Sequence, residues 1–289
     1  MSSLHIALAT CAAFHELDED DRLLRPAFDE LGVTAQAVVW DDATVRWDQF
    51  DAVVLRSTWD YAERHQQFVD WVTGVAGVTV LLNPAPLVRW NLDKGYLGVL
   101  HSGGVPTVPT SYVHPGGYLH LPDTGQFVLK PAISAGSRDT ARYDAQVDSM
   151  RAVGHAQRLL NVGRTVMIQP YLHSVDHDGE TSLLFIGGEF SHAVRKGPLL
   201  QLGSHPTEEL FAEEEITPRD PAPAQLEVAL AALSALPPSL GSPVYARVDL
   251  LQTPRGPVLL ELELAEPSLF LTHGAGAANR LARAVCDRL

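Results

Sequence analysis

The sequence predicts an α/β protein that opens with a doubly wound parallel sheet and continues with α+β domains. Its length of 289 residues exceeds the usual size of a single domain. Up to about residue 87, short apolar strands alternate with helical segments, which indicates an open parallel sheet. Beyond that point, glycine-containing turns join pairs of strands, as in antiparallel hairpins. We therefore expect three domains, at residues 1–87, 88–164 and 165–289.

Helices and strands are assigned from apolar spacing and turn residues. In the first domain we expect strands at 5–10, 33–40, 51–58 and 78–82, with helices at 18–31 and 63–75. In the second we expect a helix at 87–101, strands at 105–113 and 126–131, and a helix at 144–160. In the third we expect a strand at 165–169, hairpins over 183–196 and 244–264, and helices at 224–236 and 275–288.

The composition limits the classes of partner and compartment. A net charge of −14 argues against a nucleic-acid partner, because phosphate binding needs a basic face. No apolar run approaches the roughly 20 residues of a membrane span, so we expect no membrane partner. The first residues lack the cationic segment of a signal peptide, and the two cysteines form no disulfide framework. We expect a cytoplasmic protein and leave open whether it forms a homo-oligomer.

A substrate site is expected at the carboxyl end of the third strand, where parallel sheets bind ligands. Polar, aromatic and cationic side chains follow one another there. An alternative is that the aromatic side chains of this cluster only pack beneath the next helix. The candidate substrate contacts are Arg56, Ser57, Thr58, Trp59 and Asp60.

Paired acidic strands carry the strongest chemical signal. The period of two along a strand puts Arg247 and Asp249 on one face, and Glu261 and Glu263 on one face of the partner strand. Unpaired buried carboxylates are costly, so three of them on one apolar sheet call for a counter-ion. Mg²⁺ prefers such hard oxygen ligands and leaves room for phosphates. The alternative is a charged face exposed to solvent.

The lysines of this chain are unusually few. Of 21 basic residues only three are lysine, which suggests positions where a compact ammonium is required: Lys94, Lys130 and Lys196. Lys130 precedes a loop of small residues that includes Ser134 and Gly136, and backbone amides of such a loop bind phosphate oxygens. An ordinary turn is equally compatible with this pattern.

An apolar strand that ends in Gln169 and Pro170 continues into Tyr171 and Leu172. Such a connector between two domains is suited to bind a flat nucleobase. Glu180 follows after an acidic loop, where a carboxylate has the chemistry to accept ribose hydroxyls.

Together, these motifs resemble the ATP-grasp superfamily, in order, over roughly residues 88–289. The resemblance implies an ATP-grasp fold and an ATP- and Mg²⁺-dependent ligase that activates a carboxylate as an acyl phosphate for attack by nitrogen. Two sequence positions depart from the common pattern: Glu263 stands where many relatives have Asn, and Gln169 where many have Glu.

The resemblance also implies roles for particular residues. The lysines and the small-residue loop hold the phosphates, residues 169–172 contact adenine, and Glu180 contacts ribose. Arg247, helped by Arg195, steadies the acyl phosphate and the oxyanion. The implied metal ligands are Asp249, Glu261 and Glu263.

A narrower resemblance concerns the substrate. The segments 56–61, 83–84, 91–94, 190–196 and 266–270 are similar to the cyclo-ligases of D-cycloserine biosynthesis, which close O-ureido-D-serine into a ring. This implies a small, amino-acid-like substrate, with Ser268 as a further contact. One alternative is an intermolecular carboxylate–amine ligase of the glutathione-synthetase or D-alanine–D-alanine ligase type. A more remote alternative is a non-catalytic ATP-binding regulator. Such a protein would not need all of Arg247, Asp249, Glu261 and Glu263.

Overall fold

The computed structural model describes residues 4–204, 206 and 215–289. Its N-terminal part is built on four parallel strands: β1 (His5–Thr10), β2 (Thr34–Val39), β3 (Ala52–Leu55) and β4 (Val80–Leu82). They lie in the order β2-β1-β3-β4, which confirms the predicted parallel sheet. Helix α1 (Leu24–Asp29) packs with Ile6 and Leu8, whereas α2 (His65–Ala76) packs with Ala7 and Ala9. Alternate residues of β1 thus face opposite layers, and the sheet is doubly wound.

The central part joins three helices to an antiparallel sheet. The helices are α3 (Ala85–Asn91), α4 (Tyr96–Ser102) and α5 (Ser149–Asn161). The strands are β5 (Ser111–Val113), β6 (Gln126–Pro131), β7 (Ala141–Asp144) and β8 (Val166–Pro170), in the order β5-β8-β6-β7. Apolar residues of α5 pack with this sheet in a core of their own.

A second antiparallel sheet forms the C-terminal part. Its strands are β9 (Glu180–Ile186), β10 (Glu189–Lys196), β11 (Ile216–Pro218), β12 (Tyr245–Thr253) and β13 (Gly256–Glu263), in the order β11-β10-β9-β12-β13. The helices are α6 (Val175–Asp178), α7 (Pro223–Ser234) and α8 (Ala277–Cys286). None of the described helices is long and apolar enough to cross a membrane. The predicted domain boundaries stay predictions.

Besides strand and helix ends that differ by one to three residues, four predicted elements are shorter or broken. The helix predicted at 18–31 is reduced to a 3₁₀ turn at 21–23 and α1, because Pro26 fits only the first turn of a helix. The helix predicted at 87–101 is two helices, because the Asp93 carboxylate accepts the Gly95 N–H (2.8 Å) and forms a local turn between them.

The other two errors lie in the central sheet. Only 111–113 of the strand predicted at 105–113 is extended in the sheet, because Pro106 and Pro109 have no N–H to donate. The helix predicted at 144–160 starts at Ser149, because residues 141–144 pair with β6 as strand β7.

Two buried asparagines hold the N-terminal and helical segments against the C-terminal sheet. Asn83 donates to the carbonyls of Tyr245 (2.9 Å) and Leu264 (2.7 Å), and accepts from the Val244 N–H (2.5 Å). Asn91 donates to the Leu262 carbonyl and accepts from the Leu264 N–H. Each amide therefore satisfies backbone groups at the end of β13, and it fixes that strand end relative to β4 and α3.

Replacement of Asn83 by alanine leaves three buried backbone groups without this partner. We expect Asn83→Ala to lower the free energy of unfolding by about 2–4 kcal/mol, since each unsatisfied buried group costs about 1–3 kcal/mol. Urea unfolding followed by circular dichroism measures this change. The control is Asn279→Ala, which removes a surface bond to Glu30 and should have little effect. Equal free energies of unfolding for the two variants would contradict the role of Asn83 in fixing the end of β13.

Candidate active site

A cavity of about 460 Å³ lies where the three parts of the chain meet, and most of the predicted site residues line it. The lining includes Trp59, Lys94, Lys130, Ser134, Gly136, Gln169, Pro170, Tyr171, Leu172, Glu180, Lys196, Arg247, Asp249, Glu261, Glu263 and Ser268. These residues are far apart in sequence, so the fold brings together the separate motifs of the sequence analysis.

Strands β12 and β13 form one wall of this cavity. Their register sets Arg247 opposite Glu263 and Asp249 opposite Glu261, as the period of two predicts. Arg247 donates through Nε to both Asp249 oxygens (3.0 and 3.1 Å) and through Nη2 to Asp249 (2.9 Å) and to Glu263. Asp249 and Arg247 are 2% and 6% exposed, so this face is buried and the alternative of a solvated charged face is wrong.

Cations from other segments meet the same wall. The Lys94 ammonium lies 3.0 Å from Glu261 Oε1, and the Lys130 ammonium lies 3.9 Å from Glu261 Oε2. On β9 and β10 of the same sheet, the Lys196 ammonium lies 2.9 Å from Glu180 Oε1. All three lysines of the chain therefore point into one cavity, each near a carboxylate.

Burial and these partners shift the pKa values in opposite directions. Burial raises the pKa of Asp249, but Arg247 and Lys196 outweigh it, so the net pKa is lowered. The pKa of Glu261 is likewise lowered, because Lys94 and Lys130 outweigh burial. Glu263 has a pKa of about 7, because burial and the neighbouring carboxylates outweigh Arg247. Positive charge brought beside Glu263 would therefore stabilise the ionised form of its carboxylate.

The carboxylates do not form a ready-made metal cage. In the parts of the chain that the structure describes, no three or more His, Cys, Asp or Glu side chains converge on a point that could hold a metal ion. Each predicted ligand instead pairs with an arginine or a lysine. The counter-ions that the sequence analysis assigned to metal are thus supplied in part by the protein's own cations.

The small-residue loop after β6 closes one side of the cavity. Lys94 donates to the Ser134 carbonyl (2.8 Å), and the Tyr61 hydroxyl donates to the same oxygen (3.3 Å). Gly136 and Ser137 both have φ of 60°, the left-handed region in which glycine alone is unstrained. The loop is therefore held in a particular conformation at the cavity edge.

Side chains outside the predicted site hold the connector after β8, residues 169–172, in place. The Gln169 amide donates to Thr110 Oγ1 (2.9 Å), away from any other predicted site residue. The Tyr171 ring is covered by the Arg142 guanidinium at 3.4 Å, and its hydroxyl donates to Asp176 (2.5 Å). These contacts fix the backbone of residues 169–172 as part of the cavity wall.

Arg195 is not among the residues that line the cavity, so the prediction that it helps Arg247 steady the acyl phosphate and the oxyanion is corrected. Neighbouring residues of a strand point to opposite faces, and Lys196 takes the cavity face of β10. Arg195 instead donates through Nε to the Asp178 carbonyl (3.2 Å).

The proposed substrate contacts from the third strand are also corrected, except for Trp59. Arg56, Ser57 and Thr58 are 0% exposed and lie behind the cavity. Arg56 and Ser57 both bond to Asp21 at 2.9 Å, and Arg56 donates to the Pro267 carbonyl (2.7 Å). Asp60 accepts from Trp40 and pairs with Arg64. Arg56 therefore holds the segment after β13 in place, and Asp21, which also accepts from Ser57, fixes Arg56.

Several cavity residues were not among the predicted site residues. Asp18 and Asp20 line the cavity, but the sequence placed them in a helix. Glu266 also lines it and is only 7% exposed. Burial and nearby Glu263 raise the pKa of Glu266 to about 8. Its only signal in the sequence was its place at the start of segment 266–270, one of the segments that carry the narrower resemblance.

The fold and this site define the class. The structure matches a D-alanine–D-alanine ligase from Bacillus anthracis complexed with ATP, with a TM-score of 0.67, 14% identity and 99% and 97% of the two chains covered. It also matches an ATP-grasp RimK domain protein from Sphaerobacter thermophilus, with a TM-score of 0.64, 18% identity and 98% and 99% covered. The fold is therefore that of the ATP-grasp ligases, as the resemblance implied.

The family is narrower than the fold. The family model of the D-cycloserine synthetase DcsG N-terminal domain matches residues 6–83. The cycloserine biosynthesis protein DcsG of Streptomyces lavendulae is 40% identical over 297 residues, with 98% of each chain covered. The crystal structure of D-cycloserine synthetase DcsG matches with a TM-score of 0.89 and 39% identity, covering 98% and 99% of the chains. This chain belongs to the DcsG family of ATP-grasp ligases, and the resemblance inferred from the sequence is confirmed.

The buried Arg56–Asp21 pair supports the site rather than contacting its ligand. We expect Arg56→Gln to lower the free energy of unfolding by about 3–5 kcal/mol, because it leaves the buried Asp21 carboxylate unpaired. With Asp21→Asn in the same chain, the loss should be smaller than the sum of the single losses. Chemical denaturation of the four proteins measures this coupling.

The matched control is Arg25→Gln, which breaks an exposed pair with Glu16 and should cost about 1 kcal/mol or less. If the losses of unfolding free energy at Arg56 and Asp21 simply add in the double variant, the two residues do not stabilise each other as a buried pair.

Proposed function

We propose that this protein converts O-ureido-D-serine into D-cycloserine, with ATP as co-substrate and Mg²⁺ as cofactor. The observation that carries the substrate assignment is 40% identity to a cycloserine biosynthesis protein over nearly the whole of both chains. The chemistry is supported by the charged wall of β12 and β13, whose carboxylates and cations face one cavity.

The proposed reaction has two steps. The γ-phosphoryl group of ATP moves to the substrate carboxylate, which gives an acyl phosphate and ADP. The substrate nitrogen that bears oxygen then attacks the acyl carbon, loses its proton and displaces phosphate, which closes the ring. Once the ring is closed by these two steps, water attacks the carbamoyl carbon, the bond from that carbon to the ring nitrogen breaks, the nitrogen takes a proton, and carbamate is released. Since no protein nucleophile takes part, this chain has to bind, orient and exclude water.

The cavity cations would bind the nucleotide's phosphates. Lys94, Lys130 and Lys196 converge on the cavity, and the loop at 134–136 offers backbone N–H groups beside them. Burial lowers the pKa of Lys130 despite nearby Glu261, so incoming phosphate charge would stabilise its ammonium. Residues 169–172 would contact adenine and Glu180 would contact ribose.

The donor set fits Mg²⁺. This ion commonly takes one or two carboxylates and completes its shell with water and phosphate oxygens, so a cage of protein ligands is not required. Asp249, Glu261 and Glu263 are the residues that would hold it. When bound, Mg²⁺ supplies positive charge that offsets the charge developing during phosphoryl transfer.

Arg247 would orient the substrate carboxylate. Its guanidinium has five N–H groups, and four of them are engaged by Asp249, Glu263 and the Ser268 carbonyl. The remaining Nη1–H is left for the acyl phosphate and the oxyanion that forms during attack. Trp59 and Ser268, which line the same end of the cavity, would contact the rest of the substrate.

The direct test is turnover with a single co-substrate. Purified protein is incubated with Mg-ATP and O-ureido-D-serine, and ADP release is followed together with mass spectrometry of the ring product. We expect ADP and D-cycloserine in equal amounts. ADP formation only after an amine is added would favour an intermolecular ligase and refute ring closure.

Glu261→Gln should lower kcat by at least about a hundredfold, because it removes the charge shared by Lys94 and Lys130 and a proposed metal ligand. ADP release measures the loss, and circular dichroism establishes that the variant folds. Glu189→Gln, at an exposed position of β10, is the control and should keep normal turnover. Near-normal ADP formation by Glu261→Gln would contradict the assignment of Glu261 as a metal ligand.

A further inference from the structure

Glu266 is a buried carboxylate of the cavity lining with no Lys, Arg or His nitrogen of the described residues within 4 Å. The other acidic residues of the wall and of the ribose position each have one within 4 Å: Glu180 has Lys196, Glu261 has Lys94, and Asp249 and Glu263 share Arg247. In the described part of the chain, no Lys, Arg or His nitrogen comes that close to Glu266. Lys94 favours the charged form of Glu266 only from beyond 4 Å, and the hydrogen-bond partner of Glu266 is the neutral hydroxyl of Tyr61. Since a buried carboxylate without a cation is costly, Glu266 is placed to receive positive charge from a ligand.

The backbone around Glu266 is fixed from three sides. Trp59 Nε1 donates to the Glu266 carbonyl (2.9 Å), Arg56 Nη2 donates to the Pro267 carbonyl (2.7 Å), and Arg247 Nη1 donates to the Ser268 carbonyl (3.2 Å). The segment therefore cannot easily turn the carboxylate out of the cavity. A group held in place before the ligand arrives loses little entropy on binding.

Glu266 also lies near the group that would bind the substrate's carboxylate. Arg247 bonds to Ser268, two residues from Glu266, and retains one N–H for an anion. An α-amino acid carries an ammonium and a carboxylate on the same carbon. A carboxylate and a guanidinium N–H in the lining of one cavity match these two charges.

We propose that Glu266 binds the α-ammonium group of the substrate and restricts the protein to carboxylates that carry this amine. This inference rests on the proposed function, since it concerns the same site and an amino-acid substrate. It adds a specificity-determining residue that takes no part in phosphoryl transfer.

The test compares ligands with and without the amine. Calorimetry measures binding of O-ureido-D-serine and of 3-(ureidooxy)propanoate, its counterpart without the amine, in the presence of Mg²⁺ and a non-hydrolysable ATP analogue. Wild-type protein should prefer the amine-bearing ligand. Glu266→Gln should weaken binding of that ligand about 10- to 100-fold, the loss of a bond between charged groups, and leave binding of the other unchanged. Glu16→Gln, an exposed carboxylate on the segment after β1, should change neither.

Three results would overturn the inference. The first is equal weakening of both ligands by Glu266→Gln, and the second is no amine preference in wild-type protein. The third is weaker binding of the ATP analogue by Glu266→Gln, which would place Glu266 among the metal ligands. D-Serine and 3-hydroxypropanoate are measured in the same way. If wild-type protein fails to turn over O-ureido-D-serine, the proposed function fails, and this second pair still decides the role of Glu266.

Discussion

The clustering of three carboxylates, Asp249 buried and the other two half-buried, on one pair of strands is the constraint on which the site depends. Asp249, Glu261 and Glu263 face a cavity from β12 and β13, where isolated negative charges would be unstable. Their cations come from outside this hairpin in two cases, Lys94 before α4 and Lys130 on β6, and from within it in the case of Arg247. The central part of the chain therefore has to pack against the C-terminal sheet for the charges to be compensated.

The need to hold the charged residues together also explains the buried hydrogen bonds that connect the parts of the fold. Asn83 and Asn91 bind backbone groups at the end of β13, and Arg56 binds the carbonyl of Pro267 just beyond it. Each contact fixes the strand end that carries the carboxylates. The N-terminal part thus acts on the site through its hold on this segment, and it also contributes Asp18, Asp20, Trp59 and Tyr61 to the cavity lining.

Patterns within one element were sufficient to predict much of this arrangement. The period of two placed Arg247 with Asp249 and Glu261 with Glu263, and the register of β12 with β13 brings the pairs together. The scarcity of lysine pointed to Lys94, Lys130 and Lys196, all of which line the cavity. Alternation of strands and helices gave the parallel sheet. Each of these signals is local, so a single sequence contains it.

What could not be predicted depended on contacts between distant segments. Arg56 looked like a ligand contact because it follows a parallel strand, yet Asp21 and Pro267 bury it. Arg195 was assigned together with Lys196, although the alternation of β10 separates them. Residues 141–144 form a strand because β6 offers them a partner. Glu266 has no local feature that distinguishes a surface carboxylate from one enclosed by other parts of the chain.

The central claim is that the substrate carboxylate is activated as an acyl phosphate in this cavity. Turnover of O-ureido-D-serine labelled with ¹⁸O in both carboxylate oxygens tests it most directly, with mass spectrometry of the released inorganic phosphate. Transfer of the γ-phosphoryl group to the carboxylate followed by attack of nitrogen predicts one ¹⁸O atom in each phosphate formed. Unlabelled phosphate accompanying the ring product would contradict the account, because the carboxylate oxygen would then have left by another route.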